Sequence, residues 1–172
     1  VGALDALTEE YLAFARFPRA QFEEDSVNDM VGAVTEFVRP LAARQGITLD
    51  VSTDATVPPM TIDRTLLRQA VLNLIKNGLE AVSQGGALTV TTRRLDDTVE
   101  IAVTDTGPGI SAEVGERLFE PFFTTKPQGT GLGLSITRQI AEEHGGQVRW
   151  SSQPGEGTTF MIALPVKRIE RG

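Results

Sequence analysis

From Asp63 to Ser83 one pattern runs long enough to dictate a structural element by itself. Leu66, Leu67, Ala70, Val71, Leu74, Ile75, Leu79 and Val82 recur at three- and four-residue spacings, which predicts a helix with one continuous apolar face. Gln69, Asn73, Lys76, Asn77 and Glu80 fall on a separate polar stripe, and Gly85-Gly86 ends the run. The segments around it alternate with the period of strands. Ala87–Arg93 and Val99–Asp105 read as two strands joined across Asp96-Asp97. Gln147–Gln153 and Thr158–Leu164 read as a hairpin around Pro154-Gly155-Glu156-Gly157. Ile47, Leu49 and Val51 alternate with polar residues ahead of a Pro58-Pro59 loop. Further helices are expected over 27–45 and 131–144. Ser26 serves as N-cap of the first, and Gly145-Gly146 closes the second. Pro40 is expected to kink or interrupt the first of these. Strand pairs adjacent in sequence favour a mixed, mostly antiparallel five-stranded sheet with helices on one face, an α/β (α+β) sandwich.

Residues 1–17 read as a separate helix, with Leu4, Leu7, Tyr11, Phe14 and Ala15 at helical spacing and Pro18 as its stop. The division expected is a helix stub over 1–18, a polar linker over 19–26 and the main domain over 27–168. The chain of 172 residues starts at Val1 and reads as a fragment of a longer protein. It has no cysteine, which excludes disulfides and thiolate metal sites, and a single histidine, too few for an ordinary zinc site. No apolar run is long enough to span a membrane. A net charge of −7 is a poor match for a nucleic-acid backbone. It leaves room for a nucleotide where a few donors converge.

Four stretches carry chemistry. Asn73 and Asn77, one turn apart, put two carboxamides on one helix face. An amide oxygen is a hard neutral ligand suited to magnesium. Read alone they are also compatible with two ordinary surface asparagines. Asp105 ends a strand on the face of Val99, Ile101 and Val103, so its carboxylate points inward and needs a donor. Gly107 and Gly109 follow and permit close approach of a flat ligand, although a turn-capping aspartate fits the same residues. The long segment from Thr106 to about Gly131 reads as a functional lid. It holds Phe119-Glu120-Pro121-Phe122-Phe123 and Lys126, whose amine is placed to reach a phosphate. The phenylalanines suit a clamp on the body or on a partner helix, or a small satellite core. Gly129-Thr130-Gly131-Leu132-Gly133-Leu134 opens the next helix, where free N–H groups and the dipole favour anions; a flexible surface loop is the alternative. His144 ends that helix ahead of two glycines and reads as a C-terminal capping histidine, not a phosphoacceptor.

In this order the four stretches resemble the asparagine box, first glycine box, phenylalanine box and second glycine box of sensor histidine kinases. The resemblance covers about residues 27–165. Residues 10–18, EYLAFARFP, are similar to the nitrogen-regulation subgroup, and residues 1–17 look like the end of the second dimerisation and histidine-phosphotransfer helix. The resemblance implies the Bergerat fold of the GHKL superfamily, with ATP and Mg2+ as cofactors. It implies magnesium on Asn77, Asn73 near the phosphates, and adenine on Asp105 with Thr158 supporting through water. It implies that Gly107, Gly109, Ile110, Lys126, Gly129, Thr130, Gly131, Leu132 and Gly133 complete the nucleotide site, with Asn73, Asn77 and Lys126 as the catalytic set. ATPase relatives carry a glutamate where Asn73 stands, and an asparagine is no base for water. Two departures stand out. Glu80 occupies a position that is basic in many members, and no histidine followed by an acidic residue is present. The implied partners are the histidine-bearing helices, a response regulator and, in the full-length protein, a second copy. The fragment by itself is compatible with a monomer. A cytoplasmic location follows, with a membrane anchor in the parent left open. The alternatives are a serine kinase of the anti-sigma-factor type and a non-catalytic ATP-binding or docking module.

Overall fold

A computed structural model describes residues 2–127 and 129–168. Twelve elements follow in chain order: α1 (Ala3–Ala15), β1 (Glu23–Asp25), α2 (Val27–Arg44), β2 (Thr48–Ser52), β3 (Met60–Ile62), α3 (Arg64–Ala81), β4 (Ala87–Leu95), β5 (Thr98–Asp105), α4 (Ala112–Gly115), α5 (Gly133–Glu143), β6 (Gln147–Gln153) and β7 (Gly157–Pro165). Five strands form one sheet in the order β2-β4-β5-β7-β6. The β2–β4 pair is parallel and the other three pairs are antiparallel. The mixed, mostly antiparallel sheet expected from the sequence is therefore present.

Alternation decides which face is covered. Leu88 and Val90 on β4, Val99, Ile101 and Val103 on β5, and Phe160, Ile162 and Leu164 on β7 are buried under the helices. Their neighbours Thr89, Thr91, Ala102, Thr104 and Thr159 stand on the opposite face. The covering layer is α2, α3 and α5, with α3 in the middle. Leu67, Ala70, Val71, Leu74 and Ile75 are its fully buried stripe, and Asp63 caps its start by accepting from the Leu66 N–H at 3.0 Å.

Two differences from the sequence reading have physical causes. Pro40 does not interrupt α2, which runs unbroken from Val27 to Arg44. The proline is on the exposed side of the helix, where water reaches the carbonyl it leaves without a donor. The segment 19–26 also holds a strand that the sequence reading did not predict. It contains β1, which pairs antiparallel with β3, and the Gln21 N–H donates to Asp63 Oδ2 at 2.7 Å. Strands of three residues leave too little alternation to be read from sequence.

The α1 helix forms as expected, but Leu4, Leu7, Tyr11 and Leu12 are exposed on it. The side chain of Phe14, assigned to the same apolar face, lies outside the described residues. No described helix is long and apolar enough to cross a membrane.

Candidate functional site

The sheet delivers Asp105 to the floor of a cleft. Val99, Ile101, Val103 and Asp105 share one face of β5, so the period that buries three apolar side chains also buries a carboxylate, 6% exposed. It sits between Leu88 of β4 and Thr158 of β7 in the strand register. Its Oδ1 accepts from the Gly107 N–H at 2.8 Å. Burial pushes the Asp105 carboxyl above the usual carboxylate range. The Gly107 and Thr158 backbone N–H groups and the Lys126 charge act in the opposite direction.

Above Asp105 opens a cavity of about 370 Å³ lined by Asn73, Asn77, Glu80, Asp105, Lys126 and Thr158, among others. Helix α3 brings both asparagines to it because its opposite stripe is anchored in the core. Gly78 sets the approach. A Cβ there would lie 2.3 Å from Leu88 Cδ1 and 3.7 Å from Asp105 Cβ, so a side chain at this position would have to displace the buried Leu88 methyl from between α3 and the strand end. The sequence signal was available, since a glycine in mid-helix costs about 1 kcal/mol and calls for a reason.

The lid closes the other side. Thr106 to Gly131 contains the short α4, capped by Ser111, and its phenylalanines divide the work. Phe119 packs against the core, Phe123 lines the cavity, and Phe122 is 53% exposed with its ring 6.2 Å from that of Tyr11 on α1. Body and helix contacts are thus both made, by different rings. Phe122 has a positive φ of 68°, and its N–H donates to Gly131 O at 2.8 Å. Gly131 is itself at φ 73°, and a Cβ there would lie 2.3 Å from the Phe122 carbonyl carbon.

Of the residues singled out from sequence, Ile110, Gly109, Gly129, Thr130, Gly131 and Gly133 also line the cavity. Gly107 contributes through its N–H to Asp105. Leu132 is different. Its side chain is fully buried in the core, so only its backbone is available to a ligand. No side chain caps the start of α5, and Gly133, its first residue, lines the cavity. Asn73 Nδ2 donates to Gly133 O at 3.3 Å and ties α3 to that helix start.

Lys126 reaches across from the lid. Its ammonium donates to Asn77 Oδ1 at 3.4 Å and pairs with the Glu80 carboxylate. The Asn77 oxygen thus already faces a cation, which is the polarity that magnesium needs. Glu80, at a position that is basic in many members, has its charge balanced within the site by Lys126. Ser152 was not anticipated. Its Oγ accepts from the Ile110 N–H at 2.7 Å, contacts Thr158 Oγ1 at 2.9 Å and donates to Gly157 O at 3.0 Å, fixing the start of the lid to the hairpin.

His144 caps α5 by position but not by charge. Its Nδ1–H donates to Ile140 O at 2.8 Å, and Nε2 accepts from the Asp63 N–H at 3.0 Å. Burial holds its pKa below the ordinary 6.5, so the imidazole is neutral. The expected C-terminal cap is present, made by a neutral ring: enclosure by Phe22 and by both helix ends removes the solvent that a charge requires.

Fold and cleft together define a two-layer nucleotide-binding domain. The family described as histidine kinase-, DNA gyrase B- and HSP90-like ATPase matches residues 62–168, and the chain belongs to it. Sensor histidine kinase ZraS of Escherichia coli (strain K12) is 35% identical over 163 residues, which is 95% of this chain and 35% of ZraS. The chain therefore spans about a third of that relative. Among solved structures, the catalytic domain of histidine kinase ThkA aligns with a TM-score of 0.79 at 34% identity, covering 86% of this chain and 97% of that one. ThkA in complex with the response regulator TrrA aligns over 98% of this chain and 48% of that one, with a TM-score of 0.84 at 29% identity. Full-length ShkA in complex with AMPPNP aligns over 98% of this chain and 37% of that one, with a TM-score of 0.88 at 28% identity.

Proposed function

We propose that this domain binds Mg-ATP and passes the γ-phosphoryl group to a histidine on the dimerisation helices of its parent, as the first step of two-component signalling. The observation that carries the reading is the placement of Asp105 and Asn77 in one cavity, with a buried carboxylate at its floor and a carboxamide at its mouth. In this reading Asp105 accepts the exocyclic amine of adenine. Thr158, held by Ser152, supports that contact through water. Gly107 and Gly109 let the ring approach the backbone, and Ile110 packs beside it.

The phosphates lie toward the start of α5, where Gly129, Thr130, Gly131, Gly133 and the Leu132 backbone offer N–H groups and small surfaces. Asn77 holds the magnesium, and Asn73 stands near the phosphates. When bound, magnesium neutralises the charge that develops on the transferring group. Lys126 adds a second positive charge from the lid. Asn73 cannot take a proton from water, so the site favours holding ATP for an incoming nucleophile over hydrolysing it. That nucleophile lies outside the described residues. Both nitrogens of His144 are engaged and buried, which suits a structural role.

In the same reading residues 1–18 end the second helix of the phosphotransfer domain, 19–26 connect it, and 27–168 form the catalytic domain. The exposed apolar side chains of α1 suit a partner helix in a homodimer. A response regulator takes the phosphoryl group onward, and the domain works in the cytoplasm. The test mixes the chain with γ-labelled ATP and the histidine-bearing helices of its parent. Acid-labile label on the helices is the expected result. Acid-stable label would point instead to serine phosphorylation of a separate protein.

A further inference from the structure

Asn77 and Glu80 stand three residues apart on α3, so their side chains rise on adjoining turns beside the cavity. The Lys126 ammonium contacts the Asn77 amide oxygen at 3.4 Å and the Glu80 carboxylate as an ion pair. The lysine belongs to the lid, 46 residues along the chain from Glu80, so this contact ties lid to body. An amide oxygen beside a carboxylate oxygen is a donor set that a divalent magnesium ion accepts. An ammonium carries half that charge, and it is strongly hydrated in water. The two side chains of the ion pair are 40% and 50% exposed, a setting in which such a pair is weak and exchangeable.

We propose that Asn77 and Glu80 form a two-residue seat for a divalent cation, that Lys126 fills the seat beforehand, and that arrival of the metal with nucleotide displaces Lys126 toward the phosphates. The inference rests on reading the cavity as a magnesium–nucleotide site and assigns Glu80 and Lys126 linked positioning roles within it. The exchange accounts for an acidic residue at the phosphate end of the cleft. Glu80 faces a positive charge both before and after the metal binds, so it does not repel the phosphates unscreened. The exchange also couples the lid to the metal. Seating a divalent ion beside Lys126 is unfavourable until the lysine moves, and a bound polyphosphate supplies compensating negative charge. Metal and nucleotide are therefore expected to bind with positive cooperativity, and the cooperativity runs through these two side chains.

The experiment uses Mn2+ as the probe, followed by the paramagnetic resonance signal of the free ion, on the 172-residue chain without nucleotide. Lys126→Met is expected to tighten Mn2+ binding by a factor of about three to ten, the range set by loss of a half-exposed ion pair and its charge. Adding Glu80→Gln to that variant is expected to return the affinity to the wild-type level or below. An unchanged Mn2+ affinity in Lys126→Met overturns the displacement. A double variant that keeps the tight binding overturns the part assigned to Glu80. ADP binding measured by calorimetry at saturating Mg2+ reads the nucleotide assignment separately. Loss of ADP binding with the expected Mn2+ series sinks the nucleotide reading and keeps the seat, and the reverse result sinks the seat alone.

Discussion

Asp105 shows how one residue is shaped by opposed demands. Burial raises its pKa, so the folded protein binds a proton there more readily than the unfolded chain does. Its ionised form therefore costs stability at pH values above the unfolded pKa, and stability rises as the pH falls through the raised folded value. An amide at this position removes that cost but presents an NH2 group where adenine needs an acceptor. Asp105→Asn is expected to leave the melting temperature unchanged or higher while weakening ADP binding by about ten- to a hundredfold. Calorimetric titration beside a thermal melt checks both halves; unchanged nucleotide affinity would remove the basis of the site assignment. Gly78 and Ser152 belong to the same scale. Neither has chemistry of its own to advertise. One is needed for an absent Cβ, the other for a hydroxyl shared among three partners from two segments, the lid and β7, and both needs exist only once the chain has folded.

At the level of elements, the lid and the α3–α5 pair behave differently. The lid rests on a few backbone devices, so a change there is expected to affect binding more than folding. Gly131→Ala forces a left-handed conformation on a residue with a side chain, at about 1–2 kcal/mol, and drives a methyl group into the Phe122 backbone. The expected outcome is weaker nucleotide binding with a melting temperature lowered by about 2–8 °C, read by titration and scanning fluorimetry. The α3–α5 pair is tied by His144. Its folded pKa lies below the unfolded value of 6.5, so the unfolded state binds more protons in between. The stabilisation is complete above about pH 6.5 and is lost as the pH falls through the depressed folded value. Asp63 and Glu143 pull that value up and Arg168 pushes it down, but burial dominates. Melts at pH 7.5 and 5.5 are expected to show a larger loss for the wild type than for His144→Gln; equal losses would contradict the neutral clamp.

For the whole molecule, α1 lies outside the buried cluster and touches α5. The buried cluster begins at Val27, and the described apolar side chains of α1 are exposed apart from the ring contact of Tyr11 with Phe122. Deleting residues 1–16 is therefore expected to shift the melting temperature by less than about 4 °C, the equivalent of roughly 1 kcal/mol in a domain of this size. A larger loss in differential scanning calorimetry would mean that the helix stabilises the domain it precedes. The Tyr11–Phe122 contact also places the lid next to the helix that the proposed phosphotransfer involves, which gives the exposed phenylalanine a reason to face outward.

Periodicity alone was sufficient for the five-stranded sheet, its covering helices and the inward turn of Asp105, because burying apolar side chains at intervals of two or three to four leaves few other arrangements. The spacing of Asn73 and Asn77 likewise brought them to one face without help from the rest of the chain. Tertiary structure decided what periodicity does not encode. It turned 23–25 from linker into strand by supplying β3 as a partner, and it kept α2 whole through Pro40 by placing that residue toward solvent. It also sent Leu132 into the core and set Lys126 between Asn77 and Glu80. Each of these depends on which distant segment arrives beside which, and a local pattern carries no record of that.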